Sequence, residues 1–496
     1  MPEKLTYITL KEKAGKKRLK EPASFGLPLP EGLVKDAKTL AILNPEGNQV
    51  LAQWKPLLYW PDGSLKWVLG DFLADVEAGE EKKYAVALKK ETSFPETSLS
   101  LTKTESFIEV KSSHISFLIS KKSSFLENVL INEQAILAKT NWQLKGAKEK
   151  QADFEVKNIE VEEAGPLKVV IGIRGQISPK QDLHLLFYQR LSFWHNLPLV
   201  KVEFTIRNPR RAKHKGGYWD LGDPGSMYIK DLSLILCPAE ENEKIFFSLE
   251  GSWSFKECFP PFEVYQDSSG GELWQSPVHV NREGIVPVTF KGFRLKQESF
   301  EKYGLRANPL VKAILKNNYE ITLAVPYFWQ NFPKAIKIEK SLIRFALFPE
   351  EFNDLHEIQG GEQKTHEFWL AFGDKKQPVP DISWVFSPLV PVLDPEWISQ
   401  TKAVLYFSIF KEDPDYAKIT QEALEGENSF FVKREKIDEY GWRNFGDVYA
   451  DHETVFHKGE RPLVSHYNNQ YDLIYSFLFQ FLRTGDRRWF TLGEEP

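Results

Sequence analysis

The sequence of 496 residues predicts a mainly β protein with a short α-helical part at its C-terminal end, and three observations support this. β-branched and aromatic residues alternate with polar ones through residues 1–373, which is typical of strands with one buried face. Gly, Pro, Asn and Asp separate these runs at short intervals, as turns require. A helical pattern begins only after Asp394. The predicted order is therefore two β-domains followed by helices.

Residues 1–92 predict a small β-barrel. Apolar residues alternate over 40–54 on both sides of the turn-forming run 44–48, which indicates a hairpin. A second turn at 60–64 contains Pro-Asp-Gly, in which proline fixes φ and glycine supplies a positive φ. Further strand patterns continue to Leu88.

Residues 93–380 predict a large antiparallel β-sandwich. Many strands without intervening helices favour this architecture. The clearest strand patterns lie at residues 107–110, 115–119, 169–173, 185–194, 200–206 and 321–325.

Residues 381–496 predict a helical part. A Pro-rich linker over 374–394 leads to a helix that Asp394 caps, and another helix is predicted over 415–424. The run 471–482 is apolar on nearly all sides, which predicts a fully buried helix. Gly485 ends that helix, and the following Asp begins the next one. A ring of about a dozen helices would need well over 200 residues, so the predicted part is either a small appendage or the start of such a ring.

Charge and hydropathy exclude several classes of protein. The net charge of −5 argues against a nucleic-acid or anionic-membrane binder. Apolar runs fall short of the ~20 residues of a membrane span, and the Lys-rich start lacks the apolar core of a secretory signal, so we expect a cytoplasmic protein. Cys237 and Cys258 are too few for a disulfide scaffold and predict two structural thiols.

The first of five chemically dense segments covers residues 207–226. Arg210, His214 and Lys215 precede a glycine-rich loop that holds Trp219. Basic groups suit a carboxylate or phosphate, and an indole ring suits the face of a sugar. A charged turn on the rim of the sandwich explains the same residues equally well.

The second and third segments lie in the later part of the sandwich. Residues 266–282 include Glu272 and Trp274 and suit hydrogen bonding to hydroxyl groups, although any long polar loop has such a composition. Residues 328–334 favour a structural role, with aromatic rings packed at a domain interface.

The fourth segment, residues 356–367, includes Lys364 and His366. Its two histidines and three glutamates could form a metal site, but their spacing does not match HExxH. Hydrogen bonding across domains is the favoured interpretation. No cofactor is predicted; calcium is possible but not indicated by the sequence.

The fifth segment combines residues 440–453 with residues 465–472, before the apolar helix. It contains Arg443 and His452. Polar side chains at the start of a helix are poorly explained by packing, and sites are commonly built at such ends, so a functional role is favoured. The residues beside the helix are His466, Tyr467, Asn468 and Asn469.

Together these segments resemble the exo-acting rhamnogalacturonan lyases of polysaccharide lyase family 26 and their bacterial uncharacterised relatives. The matching stretches are residues 25–30 with 60–67, 217–226, 266–274, 356–366, and 440–453 with 465–472. The resemblance implies an N-terminal RIFT-type β-barrel over 1–92, a central β-sandwich over 93–380 and the incomplete start of a C-terminal (α/α) toroid over 381–496.

The resemblance also implies β-elimination at galacturonate, with an acidic oligosaccharide as the partner. Such a reaction needs a group that neutralises the C6 carboxylate, a base for the C5 proton and an acid for the departing O4. The predicted catalytic residues are His466, Tyr467, Arg443 and His452. The predicted substrate-binding residues are Asn468, Asn469, Arg210, His214, Lys215, Trp219, Glu272, Trp274, Lys364 and His366.

Three other interpretations stay open at this stage. A glycoside hydrolase would need two carboxylates about 5–5.5 or 6.5–9.5 Å apart, for which Asp447, Asp451 and Glu453 are candidates. A non-catalytic carbohydrate-binding protein would bind the same sugars without forming a double bond. A purely structural fragment would be poorly soluble, because an exposed apolar helix promotes aggregation. The oligomeric state is not predicted.

Overall fold

The computed structural model describes residues 3–89, 97–120, 122–148, 150–177, 184–213, 221–409, 414–448 and 472–495. Strands account for 47% and helices for 13%, so the predicted fold class is confirmed.

The strands of the first part of the chain are β1 (Glu3–Lys11), β2 (Arg18–Pro28), β3 (Leu40–Leu43), β4 (Gln49–Val50), β5 (Ala52–Tyr59), β6 (Leu65–Val76) and β7 (Glu81–Leu88). Those of the middle part are β8 (Leu99–Lys103), β9 (Phe107–Ser112), β10 (Ile115–Ser120), β11 (Asn128–Ile131), β12 (Gln134–Ala135), β13 (Leu137–Gly146), β14 (Gln151–Ala152), β15 (Phe154–Ala164), β16 (Lys168–Ile177), β17 (Leu185–Trp194) and β18 (Leu199–Arg207). The remaining strands are β19 (Met227–Pro238), β20 (Asn242–Ser248), β21 (Lys256–Cys258), β22 (Phe262–Gln266), β23 (Phe293–Gln297), β24 (Phe300–Gly304), β25 (Leu310–Leu315), β26 (Glu320–Ala324), β27 (Lys334–Glu339), β28 (Leu342–Phe348), β29 (His356–Ile358), β30 (Gln363–Gly373) and β31 (Val392–Leu393). The helices are α1 (Pro395–Thr401), α2 (Pro414–Glu425), α3 (Phe430–Ile437), α4 (Leu473–Thr484) and α5 (Arg487–Glu494).

The barrel consists of two sheets that share one apolar core. Their strand orders are β31-β1-β7-β3-β4 and β2-β6-β5. The predicted hairpin forms between β3 and β4, and the predicted turn at 60–64 joins β5 to β6 with Gly63 at a φ of 82°. Strand β31 comes from far along the chain and pairs with β1, which ties the start of the helical part to the barrel.

The sandwich is built from two nine-stranded sheets and one five-stranded sheet around the largest apolar core. One large sheet has the order β15-β16-β17-β18-β30-β26-β25-β20-β21. The other follows β14-β13-β19-β28-β27-β22-β23-β24, and β29 also pairs with β19. Among the described residues, no α-helix interrupts the chain between β8 and β31, as predicted. In β18, Val200, Val202 and Phe204 face the core, so Lys201 and Glu203 face outward.

The helices begin and end largely where the sequence predicts. Asp394 accepts a hydrogen bond from the Glu396 N–H at the start of α1, and Gly485 ends α4 with a φ of 67°. The prediction that α4 is fully buried is wrong: Phe477 and Phe481 are buried, but Tyr475 is 54% exposed. Apolar composition alone does not fix burial, because burial depends on which neighbours cover each face.

Two further predictions meet different outcomes. The segment 374–394, predicted as a linker, packs against the sandwich: its Ile382, Trp384 and Val385 join a buried cluster on the outer face. The toroid and the domain boundaries at residues 92 and 380 stay predictions. No helix of the described residues is both long and apolar enough to cross a membrane.

Candidate functional site

A cavity of about 790 Å³ opens at one end of the sandwich, and we call it the loop-end cavity. Its walls come from the loops β22–β23, β26–β27, β28–β29 and β29–β30 and from the chain after α3. Its polar lining residues are His279, Asn281, Arg282, Asp354, His356, Glu357, Glu362, Gln363, Tyr440, Trp442, Arg443, Asn444 and Asp447. Parts of the second to fifth predicted segments therefore meet at one place, and Leu221 of the first segment also lines it.

Backbone hydrogen bonds hold the chain after α3 against the sandwich loops. The N–H of Gly441 donates to the Gln330 carbonyl at 2.7 Å, and that of Trp442 donates to the Phe332 carbonyl at 2.9 Å. Asn444 donates from Nδ2 to the Val278 carbonyl at 3.1 Å. The cavity is thus shared between the sandwich and the helical part.

A histidine–aspartate pair joins these two parts at the wall of the cavity, which His279 lines and Asp438 does not. Nε2 of His279 lies 3.1 Å from Oδ1 of Asp438, and Ser269 donates its hydroxyl to the other oxygen, Oδ2, at 2.6 Å. Asp438 ends α3 in the left-handed conformation that aspartate tolerates, with a φ of 57°. A Cβ on Gly271 would lie 2.9 Å from Asp438 Oδ2, so the glycine permits this approach.

This pair fixes the tautomer of His279. A carboxylate acceptor at Nε2 favours the form that carries the proton there, which leaves the Nδ1 lone pair free. Within the described ranges, Nδ1 has no hydrogen-bond partner. In that neutral tautomer Nδ1 can accept a proton, as a general base does.

Two arginines present cationic edges to the cavity. Arg443 donates from Nε to Glu362 Oε1 at 3.1 Å and from Nη2 to the Glu357 carbonyl. Its Nη1 has no partner in the described part of the chain, so one edge remains for an anion. Arg282 donates to Asp354 at 3.2 Å.

His356 is a neutral member of the lining. Burial lowers its pKa to about 3, although its Nε2 donates to the Pro349 carbonyl at 3.1 Å. Its ring stacks on Phe352 with centroids 5.1 Å apart. The imidazole is therefore suited to accept a hydrogen bond at Nδ1, which has no partner among the described residues.

Three basic side chains, Lys334, Lys364 and His366, interact electrostatically with residues of the lining or with each other but do not line the cavity themselves. Burial lowers the pKa of Lys364 to about 8, against the attraction of Asp447 and Glu362. Lys334 Nζ lies 2.9 Å from His366 Nδ1, and both residues are buried. Burial, reinforced by neighbouring cations, lowers the pKa of both groups.

The depressed pKa of Lys364 leads to a testable pH dependence. An ordinary lysine keeps its charge to about pH 10, but Lys364 loses its proton as the pH rises through about 8. We expect the affinity for a galacturonate oligosaccharide to fall between pH 7 and 9. Calorimetry should show that Lys364→Met removes this fall, whereas the exposed Lys316→Met retains it. An unchanged pH dependence in Lys364→Met would exclude the lysine as its source.

The predicted site residues are only partly brought together. Arg443 lines the cavity, Lys364 is attracted by Asp447 and Glu362 of the lining, and His366 is buried and does not line it. Trp274 packs near Phe332, whereas the side chain of Glu272 is 95% exposed and pairs with Lys291. Arg210 is exposed and does not line the cavity. Eight predicted residues lie outside the described residues: His214, Lys215, Trp219, His452, His466, Tyr467, Asn468 and Asn469.

Sequence reasoning missed the central pair. His279 lies in a segment that we predicted to bind hydroxyl groups, but its partner Asp438 is 159 residues away along the chain. The Gly270-Gly271 sequence was the available signal, because it marks a close backbone approach. No group of three or more His, Cys, Asp and Glu in the described part is placed to hold a metal ion.

Comparison with known proteins identifies the two β-domains. Residues 5–88 match the PcRGLX-like N-terminal RIFT barrel domain, and residues 99–215 match the PcRGLX-like protein central beta sandwich domain. These matches define a protein built on a RIFT barrel followed by a β-sandwich. These two domains are similar to those of PcRGLX-like proteins, and the resemblance predicted from the sequence is confirmed for them.

A similar relative is the uncharacterized protein YetA of Bacillus subtilis (strain 168). It is 24% identical, over 97% of this chain and 64% of its own length. The chain thus spans less than two thirds of that relative.

Solved structures give weaker likenesses. A glycosyl hydrolase family 38 protein from Enterococcus faecalis has a TM-score of 0.47 at 12% identity, covering 79% of this chain and 48% of its own. A galactose mutarotase related enzyme from Lactobacillus acidophilus has a TM-score of 0.29 at 9% identity, covering 57% of this chain and 98% of its own. At these TM-scores neither likeness informs the chemistry of this chain.

Proposed function

We propose that this protein cleaves rhamnogalacturonan oligosaccharides by β-elimination at galacturonate, with the loop-end cavity as its active site. The observation that supports this most is that one cavity is lined by a histidine held by a carboxylate, His279, and by Arg443, whose Nη1 is free among the described residues. The family resemblance suggests the substrate class, and the chemistry of β-elimination suggests which residue performs each step.

Each step of the elimination has its own requirement. The C5 proton becomes acidic only when the C6 carboxylate is neutralised, and Arg443 with Lys364 supplies that positive charge. His279 takes the C5 proton at Nδ1, and Asp438 stabilises the imidazolium that forms. The C4–C5 double bond then forms as the C4–O4 bond breaks. His466 and Tyr467, predicted as acid or base, are candidates to protonate O4.

The experiment that tests this proposal follows the product's double bond. The purified chain is incubated with rhamnogalacturonan oligosaccharides, and we expect the ultraviolet absorbance of a 4,5-unsaturated uronate to rise. Arg443→Ala should abolish that rise, whereas the exposed Arg174→Ala should leave it unchanged. New reducing ends without absorbance would instead identify a hydrolase. Binding without either product would identify a carbohydrate-binding protein, and both results would overturn the proposal.

A further inference from the structure

A second cavity of about 650 Å³ lies where the barrel, the sandwich and the helices meet, and we call it the junction cavity. Strands β2 and β6 form one side, and the outer face of β16, β17, β18 and β30 forms the other, while α4 and α5 close it. It shares no lining residue with the loop-end cavity. Nothing in the proposed elimination uses it.

The sandwich side of this cavity holds an unusual pairing of carboxylates. Glu203 of β18 stands directly opposite Glu367 of β30. Like charges directly opposite each other on neighbouring strands destabilise a sheet. An unfavourable pair of this kind is expected mainly at functional sites. Each carboxylate is 33% exposed, and Glu494 adds a third to the lining.

The lysines in the lining are already paired. Lys201 lies 2.8 Å from Glu367 and 3.7 Å from Glu203, and Lys168 lies 3.2 Å from Asp71. Burial would lower the pKa of Lys201, but the two glutamates raise it above its usual value. In the described part of the chain, the lining therefore has carboxylate acceptors but no unpaired lysine. It disfavours the negative charge of a uronate and suits ligand groups that donate hydrogen bonds.

Aromatic rings stand beside these acceptors. Trp194 and Trp369 stack with centroids 5.3 Å apart, and Trp369 Nε1 donates to Glu367 at 2.9 Å. Trp67 from the barrel and Trp384 from the segment before β31 complete the set of lining tryptophans. Trp384, like the stacked pair, is only 5–6% exposed, whereas Trp67 is half-buried and offers ring surface to a ligand. Apolar ring surface next to a few acceptors complements a sugar, whose C–H faces are apolar and whose hydroxyls donate.

We infer that the junction cavity is a second carbohydrate site that binds neutral sugar residues, with Glu203 and Glu367 accepting from hydroxyl groups and Trp67 contacting a sugar face. This inference does not depend on the proposed elimination, because its residues and its ligand charge are different.

Calorimetry with the full chain tests this site. The probes are galactotetraose, mannotetraose and cellotetraose as neutral ligands and trigalacturonate as the acidic one. We expect at least one neutral tetrasaccharide to bind. Glu203→Gln should weaken that binding by about tenfold, since a charged acceptor is lost, and Trp67→Ala should weaken it as well. Glu160→Gln is the control, because Glu160 lies on the same sheet, pairs with Arg174 and does not line the cavity.

Three results would overturn the inference, and circular dichroism first establishes that each variant is folded. The first is that none of the neutral tetrasaccharides binds the native chain. The second is that Glu203→Gln binds them as tightly as the native chain does. The third is that Glu203→Gln weakens the binding of trigalacturonate instead. Loss of unsaturated product in Arg443→Ala with intact neutral-sugar binding would support two separate sites.

Discussion

Replacing His279 by alanine is expected to lower the rate of unsaturated-product formation by about 10²–10⁴-fold, the usual contribution of a general base. The expectation rests on the 3.1 Å contact between His279 Nε2 and Asp438, which leaves Nδ1 as the free proton acceptor in the cavity. Since proton removal is a step of the reaction and not of binding, the loss should appear in kcat more than in KM. The ultraviolet product assay measures both constants.

The matched control is His184→Ala, which removes a histidine that does not line the cavity. Its rate should equal that of the native chain.

Asp438→Asn tests the positioning role separately: the imidazole stays, but its orientation and the stabilisation of its charged form are weakened. We expect this variant to retain part of the activity with an altered pH–rate profile. Full activity in His279→Ala would assign the base elsewhere, with His452, His466 and Tyr467 as the remaining candidates.

The fold was largely predictable because strand patterns are local. Alternation with period two directly reports one buried face, so strands such as β17 and the turn at 60–64 follow from neighbouring residues alone. The burial of α4 was not predictable in this way, because its coverage depends on elements distant in sequence.

The site was predictable as a set of segments but not as a constellation. Polar loops between strands of one sandwich end are brought together by topology, which explains why the later segments meet. The individual side-chain pairs could not be predicted, because neither His279 with Asp438 nor Glu203 with Glu367 leaves a local pattern in the sequence. Each pair exists only because distant strands or loops pack in one register.

Replacing Glu12 by glutamine is expected to destabilise the barrel by about 3–5 kcal/mol, as breaking a buried ion pair from one side does. Glu12 accepts hydrogen bonds from the N–H groups of Ala14, Gly15 and Gly79 at 2.8–2.9 Å, and from Arg18 Nη2 at 2.6 Å. Arg18 is 2% exposed, so the substitution leaves a buried guanidinium short of negative charge.

Arg18 also connects the barrel to the segment before β31. It donates to Glu21 at 3.2 Å and to Ser387 at 3.1 Å, and Glu21 in turn accepts from the Leu389 N–H. Loss of Glu12 should therefore loosen this segment together with the barrel. The control is Glu81→Gln on β7, whose ion pair with Lys11 is half exposed and should contribute little to stability because solvent screens it. Urea unfolding followed by tryptophan fluorescence compares the two variants, and equal midpoints would contradict the buried-pair argument.

The pH dependence of unfolding separates Glu12 from Glu21. Burial alone would raise the pKa of Glu12, but hydrogen bonds from the Gly79 N–H and from Arg18 lower it from 4.5 to about 2. Its stabilising contribution is thus present above pH 4.5 and is lost as the pH falls through about 2. Burial raises the pKa of Glu21 to about 7, so its contribution is present below pH 4.5 and is lost as the pH rises through about 7. Glu12→Gln should reduce the loss of stability at acidic pH, and Glu21→Gln the loss near neutral pH, because each substitution removes one of the groups that titrate there.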